Sequence, residues 1–321
     1  LLVAIASVLA LAGSPQPVDA QTDELADGVR LFEARDFEPA MTIFTPLAKQ
    51  GNVRATYWLG RIAMVQEHFD QAAKYFEQAT VAADTSSELH LWLGRAYGEK
   101  AQHASFIKQP GLAKKTKAEW ERAIALDPNN LEAHSDMVSF YLTAPGVMGG
   151  SHDKAKAEIE AIRAISPYRA GFEMAGLAMH DKNPTAAETA LRALVASDPD
   201  SISPLIQLAT LLQQQKKWDD AVALLHEALA KHPDETGALY QLGKTAALSG
   251  QNLDEGESAL RKYLTLPPKP RQPPYAGAHF RLGMIDEHRA DPVSAKAEYT
   301  QALALDPKLE EAKKALAKLG K

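Results

Sequence analysis

The chain has 321 residues, 45% of them hydrophobic, with a formal net charge of −6 and no cysteine. That is enough apolar material for a large core, and the absence of cysteine excludes disulfides, thiolate metal sites, cysteine nucleophiles and lipoprotein acylation. Charges of both signs are interspersed without a long basic run, so nucleic acid and anionic membrane are not expected partners.

The first element in chain order is the apolar run from Leu1 to Gly13, followed by a polar, proline-bearing stretch and Val18-Asp19-Ala20. An apolar run of that length ahead of small residues reads as a secretory signal peptide over 1–20, its n-region truncated and its cleavage after Ala20. Secretion across an inner membrane into the periplasm is the expected localisation. After Ala20 no segment is long and apolar enough for stable insertion into a membrane.

Prolines then punctuate the chain at Pro128, Pro167, Pro199, Pro233, Pro268 and Pro307, each read as closing a helical stretch. The spacing, roughly 32–39 residues, is that of a helical repeat array. Between the prolines each unit reads as a helix pair. Helix A carries a Leu-Gly or Leu-small step, as in Leu59-Gly60, Leu208-Ala209 and Leu282-Gly283. Helix B carries small and large residues at helical spacing, as in Ala72, Phe76 and Ala79, or Ala221, Leu225 and Ala228. Glycine or alanine at the eighth position lets helix A approach its partner, and large residues near the twenty-fourth fill the space between.

These residues resemble the tetratricopeptide repeat (TPR) family over nearly all of residues 21–321, in the manner of bacterial secreted TPR proteins. One junction, Ala48-x-x-Gly51-x-x-x-Ala55-x-x-x-Leu59-Gly60, is similar to the related Sel1-like repeats. The resemblance implies an all-α, right-handed superhelical solenoid of antiparallel helix pairs. We expect about eight repeats, starting near 21, 53, 87, 131, 168, 202, 236 and 276, with a capping helix at 310–319 whose lysine-rich face solvates the end of the array. A homodimer formed through an end helix is a further option for such arrays.

Three departures interrupt the period. Helix A of the third unit is expected to end near Lys100, with helix B resuming near Lys114, which leaves a 101–113 insertion. The fourth unit holds a glycine-rich segment at 144–154, in which Val147 and Met148 form a candidate contact loop and Asp153 or Ser151 caps the next helix. It is not a phosphate loop, because Gly150 is followed by Ser151 and no strand precedes it. The third departure is the proline-rich connector from Pro267 to Tyr275.

No metal pair of the His-Glu-x-x-His type, nucleophile elbow or other catalytic constellation rises above background, so no cofactor, metal or enzymatic activity is expected. His134 and Asp136 are two apart and point to different sides of a helix. The TPR resemblance implies that positions two, five, nine, twelve and thirteen of helix A line a concave groove. It places Arg54, Tyr57, Arg61 and Arg95 on one wall of that groove, and Tyr240, Lys244 and Phe280 on a second patch. Guanidinium forks suit a carboxylate, so the expected partner is a protein or an extended peptide. The expected function is a non-catalytic scaffold of the bacterial cell envelope; the alternative is a structural subunit of an envelope assembly or secretion complex.

Overall fold

The computed structural model describes residues 18–267 and 274–319. The apolar run and Pro268 therefore lie outside the described residues, as does most of the proline-rich connector. Among the described residues the chain forms seventeen α-helices and one 3-10 turn. None of these helices is long and apolar enough to cross a membrane. The chain divides into two compact units, one ending at Ile165 and one beginning at Ser166.

The first unit holds four antiparallel pairs: α1 (Val18–Glu33) with α2 (Phe37–Lys49), α3 (Val53–Val65) with α4 (Phe69–Ala82), α5 (Ser87–His103) with α6 (Gln109–Leu126), and α7 (Leu131–Thr143) with α8 (His152–Ile165). The second holds α9 (Pro167–His180) with α10 (Pro184–Ser197), α11 (Ile202–Gln214) with α12 (Trp218–Lys231), α13 (Thr236–Ser249) with α14 (Leu253–Thr265), and α15 (Tyr275–His288) with α16 (Pro292–Leu305). Helix α17 (Glu310–Leu319) packs on α16 and ends the array.

Local chemistry explains the boundaries. The side chains of Asn52, Ser86, Asn130 and Asn183 each accept a hydrogen bond from a first-turn backbone N–H of α3, α5, α7 and α10. These caps satisfy donors that have no partner inside the helix. The Asp-Pro and His-Pro steps end α6, α10, α12 and α16, with Asp127, Asp198, His232 and Asp306 as extended or non-helical C-caps. Pro167 behaves differently from the expectation. It opens α9 behind the Ser166 cap, where its missing N–H costs nothing.

Close approach within several of the pairs depends on glycine. A Cβ on Gly60 would stand 2.7 Å from the Phe76 ring, and one on Gly283 would stand 2.5 Å from the Tyr299 ring. Phe76 and Tyr299 are fully buried, so each ring lies directly on the partner helix's backbone. The helix A to helix B turns share a second device. Arg35, Glu67, Lys182, Lys216 and Ala290 adopt left-handed φ values between 55° and 62°, and Gly250 does so at 73°. All six occupy the fifteenth position of their unit. Units three and four carry the insertions and connect their helices in other ways.

The 101–113 insertion is mostly helix. α5 runs on to His103 and α6 starts at Gln109, which leaves a short turn around Phe106 and corrects the expected gap from Lys100 to Lys114. Pro110 falls in the first turn of α6, where proline is tolerated. In the glycine-rich segment, Gly146–Met148 form the 3-10 turn and Gly149 is left-handed with φ 105°. Ser151, rather than Asp153, caps α8 by accepting from the Lys154 N–H.

Candidate partner-binding surface

A stripe of solvent-reaching side chains runs along the A helices. In α3 it includes Arg54, Trp58, Arg61 and Val65, and in α5 Glu88, Trp92, Arg95 and Glu99. These are positions two, six, nine and thirteen, a spacing of four, three and four that keeps them on one side of the helix. The fifth position lies under this stripe. Tyr57 is 1% exposed and Tyr240 is 9% exposed, so neither lines a groove as expected. Both are large apolar rings at a position that points toward helix B, and burial claims them.

Around Arg61 the first unit builds an aromatic cage. The guanidinium carbon lies 3.7 Å from the centroid of the Trp92 ring and between 5.5 and 5.6 Å from those of Trp58, Tyr57 and Phe32. Arg61 Nη1 donates to the Tyr57 hydroxyl at 2.6 Å. Burial first, and then the Glu88 carboxylate, push the Tyr57 hydroxyl up to about 12 against the opposing Arg61 charge, so it stays protonated at neutral pH. Cation–π contacts of this kind are strengthened when partly desolvated. Trp92 is itself fixed by stacking on Phe76, with centroids 6.1 Å apart, and the Arg95 guanidinium approaches it to 4.8 Å.

The three arginines of the expected wall are not equivalent. Arg54 pairs with Glu88 at 2.8 Å. Arg95 binds Asp136 at 2.5 Å and Glu132 at 2.7 Å from α7. Burial opposes its charge, but the two carboxylates win and raise its pKa. Arg61 has no carboxylate partner among the described residues, and most of its donors stay available. Trp58 and Trp92 were missed in the sequence. Their signal was present: each tryptophan stands three residues before an arginine, at the same place in successive repeats.

Two of the histidines have a structural task. His90 Nδ1 meets Glu119 at 2.6 Å and His134 Nδ1 meets Glu158 at 2.6 Å, each tying helix A to its helix B. His134 and Asp136 do part company, one buried and one on the Arg95 stripe.

In the second unit the expected patch is reduced to its cation. Tyr240 packs edge-on against Tyr263, with centroids 5.6 Å apart, and Phe280 is half-buried against Tyr299. Lys244 stands on the exposed stripe, its pKa lowered by burial and by the Arg281 charge. Among the described residues neither Lys244 nor Arg281 has a carboxylate partner, and Arg281 Nε is buried without a hydrogen bond. Of the candidate contact loop, Val147 is 95% exposed while Met148 is half-buried.

Stacked helix pairs with a solvent-facing stripe of cations, some ion-paired and some not, define a helical-repeat array. Sequence models of the tetratricopeptide repeat match residues 25–88, 59–107 and 178–247. Among solved structures, yeast Tom70 is similar with a TM-score of 0.58 at 15% identity, covering 94% of this chain and 71% of that one. A tetratricopeptide repeat protein from Parabacteroides merdae gives 0.53 at 13% identity, covering 84% and 99%. PilW, a type IV pilus biogenesis factor, gives 0.51 at 20% identity, covering 72% and 98%. At these identities the likeness is one of fold. Protein O-mannosyl-transferase Tmtc3 of Drosophila melanogaster is 29% identical over 134 residues, 41% of this chain but 14% of that protein.

Proposed function

We propose that the chain is a non-catalytic scaffold of the bacterial cell envelope that binds an extended protein segment along the A-helix stripe, with Arg61 receiving a carboxylate from it. The observation that carries this reading is the difference among the arginines. Arg54 and Arg95 are already neutralised by Glu88, Glu132 and Asp136, while Arg61 is held rigidly over aromatic rings with its outer donors free of any carboxylate. A preformed guanidinium loses little rotamer freedom when it binds, and bidentate pairing with a carboxylate is favoured. The aromatic surround suits an apolar side chain beside the acid. The envelope placement is supported by the apolar run Leu1–Gly13 and the Val18-Asp19-Ala20 step after it.

The test is a binding titration, by fluorescence polarisation, of extended peptides carrying a free C-terminal carboxylate or an acidic side chain, each beside its amidated or Asn/Gln counterpart. The acidic forms should bind better, and Arg61→Ala should weaken them by about ten-fold or more, the value of a charge-assisted hydrogen bond. Amidated and Gln-containing peptides should lose little to the same substitution. Equal binding of acid and amide forms, or an Arg61→Ala chain that binds as the unaltered one does, would refute the assignment.

A further inference from the structure

The lengthened third repeat carries a feature that the groove reading does not use. From Lys100 to Lys117 the chain holds five lysines and no aspartate or glutamate, in a protein of net charge −6. At the centre of this stretch the turn between α5 and α6 lifts Phe106 and Ile107 clear of the protein, 78% and 90% exposed. The turn is firmly built. The Lys108 N–H donates to the Ser105 carbonyl at 2.8 Å, and Gln109 donates from its side chain to the Ala104 carbonyl at 3.2 Å. His103 at its base stacks on Phe69 with centroids 5.1 Å apart. Beside the tip opens a cleft of about 1180 Å³ whose lining includes His68, His103, Lys108 and Lys115.

The charges around the tip divide into spent and free. Lys100 pairs with Asp70 at 2.9 Å, and Lys117 pairs with Glu121 one turn on. Lys114 is exposed with no carboxylate partner among the described residues, and Lys108 is exposed with no ion pair there, its charge acting on Asp70 without contact. Lys115 is exposed too and rests on the Tyr97 ring at 4.8 Å. Glu67 is the acid of the cleft lining that no lysine neutralises. Two adjacent large apolar side chains beside exposed ammonium groups are costly in water. They are suited to the boundary of a bilayer, where the rings enter the acyl edge and the lysines meet anionic headgroups. A two-residue tip is far below the roughly 800 Å² per partner of a stable protein interface, which favours a lipid surface over a folded partner.

We propose that the Phe106–Ile107 tip, with Lys108, Lys114 and Lys115, docks the first unit onto an anionic lipid surface. The expectation against anionic membranes was drawn from the absence of a long basic run. Here the lengthened repeat sets Lys108 and Lys115 in the cleft beside Ile107, with Lys114 exposed next to them in α6.

The absence of native cysteine makes a clean test available. Ile107→Cys in the full chain, labelled with a polarity-sensitive fluorophore, is titrated with vesicles of phosphatidylglycerol and phosphatidylcholine and, separately, with phosphatidylcholine alone. The probe should brighten and shift to the blue with the anionic vesicles, less so as salt rises, and stay unchanged with the neutral ones. Lys108→Glu, Lys114→Glu and Lys115→Glu together should lower the partition coefficient by roughly ten-fold or more, and Phe106→Ser should reduce it as well. The run Leu1–Gly13 offers its own route to a vesicle, so flotation of the chain with an unchanged probe would overturn the proposal. Equal response to neutral vesicles would overturn it, as would lysine variants that partition like the unaltered chain. So would binding of an acidic polypeptide at the tip with no response to anionic vesicles. Should a charge variant fold poorly in circular dichroism, the salt dependence of the labelled, otherwise unaltered chain decides.

Discussion

Asp286 stands in α15 at the eleventh position of its repeat, where other units place Tyr97, Tyr141 and Leu212. It is 6% exposed, and its Oδ2 has no hydrogen-bond partner. Its nearest cation, Arg289, is 3.9 Å away and is engaged by Glu257 and Asp254. Burial first, and then the charges of Glu257 and Glu298, push the carboxyl up from its ordinary value. The sign follows. The native state holds this proton to higher pH than the unfolded chain does, so stability is lost as pH rises from the unfolded carboxylate value through the folded one. The penalty is complete only once pH lies above the folded value. Asp286→Asn keeps the volume, removes the charge and offers Nδ2 donors toward the neighbouring carboxylates. An unpaired buried acceptor costs about 1–3 kcal/mol. For a unit of this size each kcal/mol moves Tm by about 2–4 °C. The variant should therefore melt several degrees higher at neutral pH, and the advantage should shrink as pH falls toward the unfolded carboxylate range near about 4. Calorimetric or circular-dichroism melts of both chains across that pH range give the comparison. A variant that melts lower at neutral pH would refute the reasoning, because it would mean that Arg289 compensates the buried charge in full.

Other substitutions test the packing and the wall. Gly60→Ala should destabilise by about 1–3 kcal/mol in urea unfolding, because the new methyl meets the Phe76 ring at 2.7 Å. Gly176→Ala, within α9 and with nothing in reach of a Cβ, should instead stabilise by about 1 kcal/mol through helix propensity. Arg95→Ala should lower the melting temperature by several degrees, since it strips Glu132 and Asp136 of their shared cation at a site where the arginine side chain is 22% exposed. Arg61→Ala should lower the melt less than Arg95→Ala does, because it strands no carboxylate, and act mainly on peptide binding. Gly150→Ala should cost about 2 kcal/mol or more, because a Cβ there would stand 1.8 Å from the Ala144 carbonyl oxygen, and its measure is the urea midpoint.

The helix pairs were legible because their determinants are local. A small residue opposite a ring, as at Gly60 and Phe76, and a proline two residues past a helix end, as at Asp127-Pro128, each fix one geometric relation within a few turns of chain. The left-handed turn at the fifteenth position left no such mark. Its occupants include Arg35, Glu67, Lys216 and Ala290, none of them glycine or asparagine. The surrounding helices impose that conformation, whose cost is about 1–2 kcal/mol per residue. The third-unit insertion was misplaced because it holds Pro110 and Gly111, the weakest helix formers, which the first turn of α6 nevertheless accommodates.

The site was half legible for a different reason. Arg61 and Arg95 were found by their position in the repeat, but the same mapping placed Tyr57 and Tyr240 in the groove, where the helical period does not carry them. A stripe through positions two and nine must pass through six and thirteen, so the aromatic neighbours of Arg61 are Trp58 and Trp92. What no single-chain pattern could show is which arginine is spent. That depends on Asp136 and Glu132, which are 41 and 37 residues beyond Arg95 in the chain and are brought beside it only by the stacking of α7 on the preceding pair. Changing both Arg61 and Arg95 to glutamate would therefore be a poor probe of the groove. At Arg95 it would set a third carboxylate against Glu132 and Asp136 and unfold locally what it was meant to test. Arg61 alone separates binding from folding, because its guanidinium holds no neighbouring carboxylate in place.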